Sequence, residues 1–242
     1  MIPKTIHYCW FGRGELPKLA KKCIDSWRKY CPDYQIIEWN EDNFDINCIP
    51  YVKQAYENKK YAFVTDYVRL YALYTQGGVY MDTDVEVLKP LDIFLVDNAF
   101  SGFESNEYVP TGIMGSEANL PIFKELLDDY EEKRFILDDG SLNLNTNCQY
   151  ITSILLKHGL VLDGKEQTVA DITLYPAEVF CPFENETGRL NKTENSVTIH
   201  WFNKSWVDKD KRIISKITRV FHRLFGVDCF KWLNRLLKRK ES

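Results

Sequence analysis

An α/β fold is predicted by three features of this sequence: a strand, helix, strand order at its start, a broad apolar helix stopped by Gly77-Gly78, and an aromatic strand delivering Asp82-Thr-Asp84. Thr5-Ile-His-Tyr-Cys-Trp-Phe11 is apolar and aromatic and breaks at Gly12 and Gly14, as a buried strand does on entering a loop. From Leu16 to Pro32, Leu16, Leu19, Ala20, Cys23, Ile24, Trp27 and Cys31 recur at steps of three and four, the spacing of one helical face, with Pro17 at its start. Tyr34-Gln-Ile-Ile-Glu-Trp39 follows as a second strand. Parallel strands need a crossover helix, and ligands then sit beyond the strands' carboxyl ends, where Trp10 and Phe11 fall.

Helices are expected at 50–59 and 61–75, the second with Phe63, Val64, Tyr67, Leu70, Tyr71 and Tyr74 on one face and a left-handed cap at Gly77-Gly78. Val79-Tyr-Met81 reads as a short buried strand, and Val85-Glu-Val-Leu88 resumes an extended pattern. Further strands are expected near 99–103, 110–115, 172–175 and 197–201, with helices near 119–131 and 147–158. One catalytic domain over 1–208 accounts for these elements.

Charge divides the 242 residues unevenly. Residues 1–208 hold 20 Lys and Arg against 32 Asp and Glu, whereas 209–242 hold 11 against 3, so the net −4 conceals an acidic body and a basic tail. The acidic body excludes nucleic acid as the main partner, because phosphate neutralisation by Lys and Arg supplies most of that affinity. Apolar runs fall short of the roughly 18–20 residues that span a bilayer, and the first residues lack a signal-type core, so a cytoplasmic setting is expected. The seven cysteines form no C-x-x-C pair and are expected as reduced core residues. The sequons at Asn185 and Asn191 then carry no meaning.

Asp82 and Asp84 lie one residue apart, so on a strand both side chains lean to one face. A hard cation with open positions can hold their oxygens on one side and a diphosphate on the other, and as a Lewis acid it stabilises the departing nucleoside diphosphate. The apolar helix, the glycine stop and the aromatic strand place these charges at the mouth of a core. Asp66 and Arg69, three apart on the preceding helix, share a face with core-like neighbours. They are either an intrahelical ion pair or a pair in which Asp66 accepts from sugar or ribose hydroxyls and Arg69 steadies the sugar or its phosphate. A haloacid-dehalogenase site fits poorly, since Glu86 stands where that pattern wants Thr or Val, and a calcium loop lacks its glycine.

The run from Ala62-Phe-Val-Thr-Asp66-Tyr-Val-Arg69 through Gln-Gly77-Gly78-Val-Tyr-Met-Asp82-Thr-Asp84 resembles the D-x-D sugar-binding region of glycosyltransferase family 32, and more distantly the glucosyltransferase domains of large clostridial toxins. Ile2-Pro-Lys-Thr-Ile-His-Tyr-Cys-Trp10-Phe-Gly12 and His200-Trp201-x-x-x-Ser205-Trp206 extend the resemblance across 1–206. It implies a GT-A fold, a mixed sheet flanked by helices, and retaining transfer from a UDP- or GDP-linked sugar with Mn²⁺ or Mg²⁺. Carried over residue by residue, Trp10 stacks on the base and Asp66 and Arg69 contact the sugar. Asp84 ligates the metal directly, while Asp82 contacts ribose or sugar, or the metal through water. His200 adds a metal or diphosphate ligand, and Ser205 with Trp206 closes over the diphosphate. Ile199 and Phe202-Asn203-Lys204 depart from the family pattern at this lid. Asn145-Thr-Asn147 is either a sugar contact or a helix cap.

In the tail, Ile213, Ile217, Val220, Phe221 and Leu224 form one helical face, with Arg212, Lys216, Arg219 and Arg223 elsewhere around the turn. After Gly226, Phe230, Leu233 and Leu237 continue a second amphipathic piece. Residues 209–242 are therefore expected to lie on an anionic membrane surface, with a helical hairpin packed on the domain or a protein-binding helix as the alternatives. The acceptor expected from this is an oligosaccharide or lipid-linked glycan in cell-surface (capsular) polysaccharide synthesis. A sugar- or membrane-binding module without turnover is the non-enzymatic alternative.

Overall fold

In a computed structural model of the chain, residues 1–105, 108–109, 112–203 and 218–230 are described. The expected opening is present as β1 (Thr5–Cys9), α1 (Lys18–Tyr30) and β2 (Gln35–Trp39), with Trp10 and Phe11 already in the loop. Next come α2 (Pro50–Glu57), α3 (Tyr61–Gln76), β3 (Gly78–Met81), β4 (Val85–Val87), β5 (Ala99–Gly102), β6 (Ile113–Ser116), α4 (Pro121–Glu131) and α5 (Asn147–Lys157). The remaining elements are β7 (Gln167–Val169), β8 (Ile172–Tyr175), α6 (Ala177–Phe180) and β9 (Thr198–His200). Of these, β7 and α6 lack a sequence signal, being three and four residues long.

Seven strands form one mixed sheet in the order β2-β1-β3-β6-β5-β8-β7. The first half, β2, β1 and β3, is parallel, whereas β6 runs antiparallel between β3 and β5. A mixed sheet with a parallel first half and flanking helices is the arrangement the sequence led us to expect. Apolar side chains fill both faces: Val64, Val68, Leu73 and Phe123 belong to one core, and Ile24, Trp27, Met81 and Phe94 to the other. Four cysteines, Cys9, Cys23, Cys31 and Cys181, are buried as core residues, but Cys48 is exposed and Cys148 and Cys229 are half-buried.

Two local devices aim the chain at the site. Gly77 ends α3 with φ 66° and ψ −168°, so the stop is not the left-handed cap expected but an extended glycine-only turn straight into β3. A Cβ on Gly78 would lie 2.6 Å from the Thr5 carbonyl oxygen, so only glycine lets β3 settle beside β1. The buried His7 ring then ties the junction, contacting the Gly77 carbonyl at 2.8 Å and accepting from the Trp39 indole at 3.1 Å.

The second device is a small antiparallel sheet of β4 and β9, which pairs Val85 with His200. Helix α1 holds β4 in place: the Trp27 indole donates to the Val85 carbonyl at 2.7 Å, and the Ser26 hydroxyl accepts from the Val87 amide at 2.9 Å. A residue from the end of the domain is thus fixed beside the Asp82–Asp84 turn.

Candidate active site

Asp82, Thr83 and Asp84 occupy the turn between β3 and β4, with the Val85 amide donating to the Asp82 carbonyl at 2.9 Å. The strand ends at Met81 as expected, but the alignment expected from alternation along a strand is corrected: alternation does not align the two carboxylates. The turn and the β4–β9 pairing do. His200 Nε2 lies 3.3 Å from Asp84 Oδ1 and 4.0 Å from Asp82 Oδ2, and one ligand atom from each of the three residues falls within 4.8 Å of the others.

Two carboxylates and one imidazole suit a divalent ion that takes oxygen and nitrogen, with Mn²⁺ a better match than Mg²⁺, which prefers oxygen alone. The electrostatics fit the same occupant. Burial works to raise the Asp84 carboxyl, but the His200 ring and the Asn203 amide hold it below its usual range. Burial also disfavours charge on His200, yet Asp84 and the neighbouring Cys181 lift the ring well above its ordinary value. A proton on His200 therefore balances Asp84 where a cation would otherwise stand.

Asp82 belongs to a second set of contacts. Its Oδ1 accepts from the Tyr80 hydroxyl at 2.7 Å and faces the Arg69 guanidinium at 3.2 Å. Arg69 also pairs with Asp66 at 3.3 Å and lies 4.6 Å over the Tyr80 ring. Both members of the α3 pair are nearly fully buried, Asp66 at 8% and Arg69 at 5% exposure, so this is not a solvated intrahelical ion pair. Burial pushes the Asp66 carboxyl up to about 7, with Asp82 adding to the rise against the pull of Arg69. Asn147 reaches the same region, its amide donating to the Asp66 carbonyl at 3.2 Å. Thr146 caps α5 through a capping box with Gln149, which settles Thr146 as a cap and leaves Asn147 turned inward.

Trp10 stands just beyond β1, half-buried, with its indole donating to the Gly14 carbonyl at 2.6 Å. Because β1 and β3 are parallel and pair His7 with Tyr80, Trp10 opens on the same sheet edge as the Asp82 turn. Ser205 and Trp206, the expected lid, lie outside the described residues, as does most of the tail.

Several contributors escape sequence reading. Gly112 is one: a Cβ there would sit 2.8 Å from His200 Nδ1, so only glycine admits the imidazole, and its carbonyl also accepts from the Asp82 amide at 2.8 Å. The Phe202 ring lies 4.0 Å from the His200 ring, and the Asn203 amide donates to Asp84 Oδ2 at 2.7 Å. Tyr80 was legible in principle, as the aromatic residue of the short strand two positions before Asp82.

The Asp82-Thr83-Asp84 site resembles that of a class, the glycosyltransferases that carry a DXD motif. Residues 17–101 match the family described as glycosyltransferase sugar-binding region containing DXD motif. Similar proteins include inositol phosphoceramide mannosyltransferase 3 of Schizosaccharomyces pombe, 29% identical over 52% of this chain and 36% of that protein. An uncharacterised glycosyltransferase of Acanthamoeba polyphaga mimivirus is 28% identical over 75% of this chain and 74% of its own length. Among solved structures, a glycosyltransferase involved in glycosylating the major capsid of PBCV-1 superposes with a TM-score of 0.48 at 12% identity, over 86% of this chain and 98% of that one. The chain spans about a third of the length of the yeast mannosyltransferase.

Proposed function

We propose that this chain transfers a hexose from a UDP- or GDP-linked sugar to a glycan acceptor with retention of configuration, using Mn²⁺ or Mg²⁺. The observation that carries the reading is the Asp82, Asp84 and His200 cluster, held at the carboxyl end of β3 by a strand from the far end of the domain. Asp84 and His200 would hold the cation, with Asp82 beside it. When bound, the cation supplies Lewis-acid stabilisation of the nucleoside diphosphate leaving group.

The chain's own residues do the rest. Arg69 is immobilised by Asp66, Asp82 and the Tyr80 ring, so its fork meets a phosphate or sugar oxygen without first being ordered. Asp66 accepts from sugar hydroxyls, most strongly in its carboxylate form. Trp10 stacks on the base. Ser205 and Trp206 close over the diphosphate and exclude water, as the family resemblance implies. Mannose is the sugar named for the yeast relative and is our first candidate.

The acceptor side of the proposal is an oligosaccharide or lipid-linked glycan of cell-surface, including capsular, polysaccharide. The acidic body sits on the cytoplasmic side and meets an anionic membrane through 209–242. No described helix is long and apolar enough to cross a membrane.

The test is release of nucleoside diphosphate from a panel of UDP- and GDP-sugars with Mn²⁺, Mg²⁺ and chelator, with products read by mass spectrometry. Metal-dependent release from one donor supports the reading. Donor binding without release under any condition would instead establish a sugar-binding module without turnover.

A further inference from the structure

The part of the tail that is described is a helix at 218–225 followed by a turn, and it docks on the body in an inverted sense. A surface helix ordinarily turns its apolar side inward. Here the arginines face the body. Arg219 donates to the Asn185 carbonyl at 2.8 Å and to the Asn185 side chain at 2.9 Å, and its guanidinium lies 5.4 Å over the Phe183 ring. Arg223 donates to the carbonyls of Thr187 at 3.3 Å and Gly188 at 2.7 Å, while Arg189 donates back to the Arg223 carbonyl at 3.0 Å. Val220, Phe221, Leu224, Phe225 and Val227 are left outward, Leu224 and Phe225 with 68% and 69% of their surface exposed.

We infer that this outward face is a seat for an anionic lipid bilayer, and that the Arg219 and Arg223 clamp on 183–189 fixes how the catalytic body stands on the membrane. The inference deepens the membrane reading above and rests on it for the assignment of the tail. It also changes the roles expected from sequence: Arg219 and Arg223 bind the body's carbonyls and not lipid headgroups.

Charge selects the occupant. In the sequence directly after the turn, Lys231, Arg235, Lys238, Arg239 and Lys240 are interleaved with Trp232, Leu233, Leu236 and Leu237 against the single Glu241. A sequence that alternates cations with apolar residues and directly follows an exposed apolar face matches a surface of negative headgroups over acyl chains. A second copy seated on the same face would bring two basic tails together, each carrying 11 Lys and Arg against 3 Asp and Glu, and the like charges oppose that pairing.

The experiment uses the full chain with vesicles of phosphatidylcholine alone and of phosphatidylcholine mixed equally with phosphatidylglycerol. Wild type should partition onto the mixed vesicles, and Leu224→Asp/Phe225→Asp should lower that partition at least tenfold with donor hydrolysis unchanged. Arg219→Gln/Arg223→Gln should still bind. Neutron reflectometry from a supported bilayer of the same lipids should then show one body orientation for wild type and a smeared profile for the arginine variant. Unchanged partition of the Asp variant overturns the seat. So does a shift from dimer to monomer in that variant by analytical ultracentrifugation with vesicle binding intact, which would assign the face to a second copy. Hydrolysis measured on the same preparations separates the two readings. Binding without hydrolysis defeats only the enzyme, and hydrolysis without binding defeats only the seat.

Discussion

His200 Nε2 stands 3.3 Å from Asp84 Oδ1, and because Val85 pairs with His200 in the β4–β9 sheet, that distance belongs to the fold and not to two mobile side chains. Without a cation the ring carries a proton, since Asp84 overcomes the burial that disfavours charge there. Metal binding must release that proton, so Mn²⁺ affinity should rise with pH by about tenfold per unit below the ring's metal-free pKa. Electron paramagnetic titration of free Mn²⁺ across a pH series measures the slope. His200→Gln should flatten it.

Asp66 joins function to stability with opposite signs. Its folded pKa, pushed up to about 7, exceeds the unfolded value of 3.8, so folding favours the protonated form. Stability should therefore be fullest below about 4 for this group and be lost as pH rises from there through about 7. Asp66→Asn should raise Tm at pH 8, by about 2–4 °C per kcal/mol recovered, while abolishing transfer. In wild type, kcat/KM for the donor should climb on an ionisation near 7, and calorimetry with a pH–rate profile checks both.

Gly112→Ala tests whether the room made for His200 matters. The added methyl would meet the ring at 2.8–3.0 Å, and backbone and imidazole cannot both stay in place. Mn²⁺ affinity should fall about 10–100-fold, the usual cost of disturbing a ligand's support. Isothermal titration of Mn²⁺ into the variant, with circular dichroism to verify folding, gives the answer.

Trp10→Ala should raise the donor KM by about tenfold or more, since base stacking is worth about 1–3 kcal/mol by alanine substitution. The acceptor KM should stay put. An unchanged donor KM in folded protein would make Trp10 a packing residue of the core it already touches.

Much of this architecture was readable because it rests on periodicity. The apolar steps of α1 and α3, the two first strands and the glycine stop all reflect burial of one face, which a sequence displays directly. The motif residues also appeared, and Asp66, Arg69, Asp82, Asp84 and His200 do meet. What stayed hidden is what depends on the approach of distant segments. Nothing in the sequence near Gly112 says that an imidazole 88 residues later needs its space. The Asp82–Asp84 triplet was placed correctly between the strands at Val79–Met81 and Val85–Leu88, but strand alternation was the wrong reason for its carboxylates to converge, because the turn and the distant β9 that bring them together leave no periodic signal. The tail's inversion was hidden too, since helical spacing separates Arg219 and Arg223 from the apolar face without saying which side meets the body.

The central claim is that Asp84 holds a cation needed to release the nucleoside diphosphate. Asp84→Asn keeps the side chain's shape and its acceptor oxygen for the Asn203 amide but removes the charge. The decisive measurement is donor hydrolysis by this variant across a Mn²⁺ titration, beside Mn²⁺ binding by paramagnetic resonance on the same samples. The account predicts a folded protein with Mn²⁺ affinity weakened at least about tenfold and hydrolysis lowered by about 10²-fold or more even at the highest Mn²⁺. Hydrolysis at the wild-type rate with saturating Mn²⁺ would contradict it.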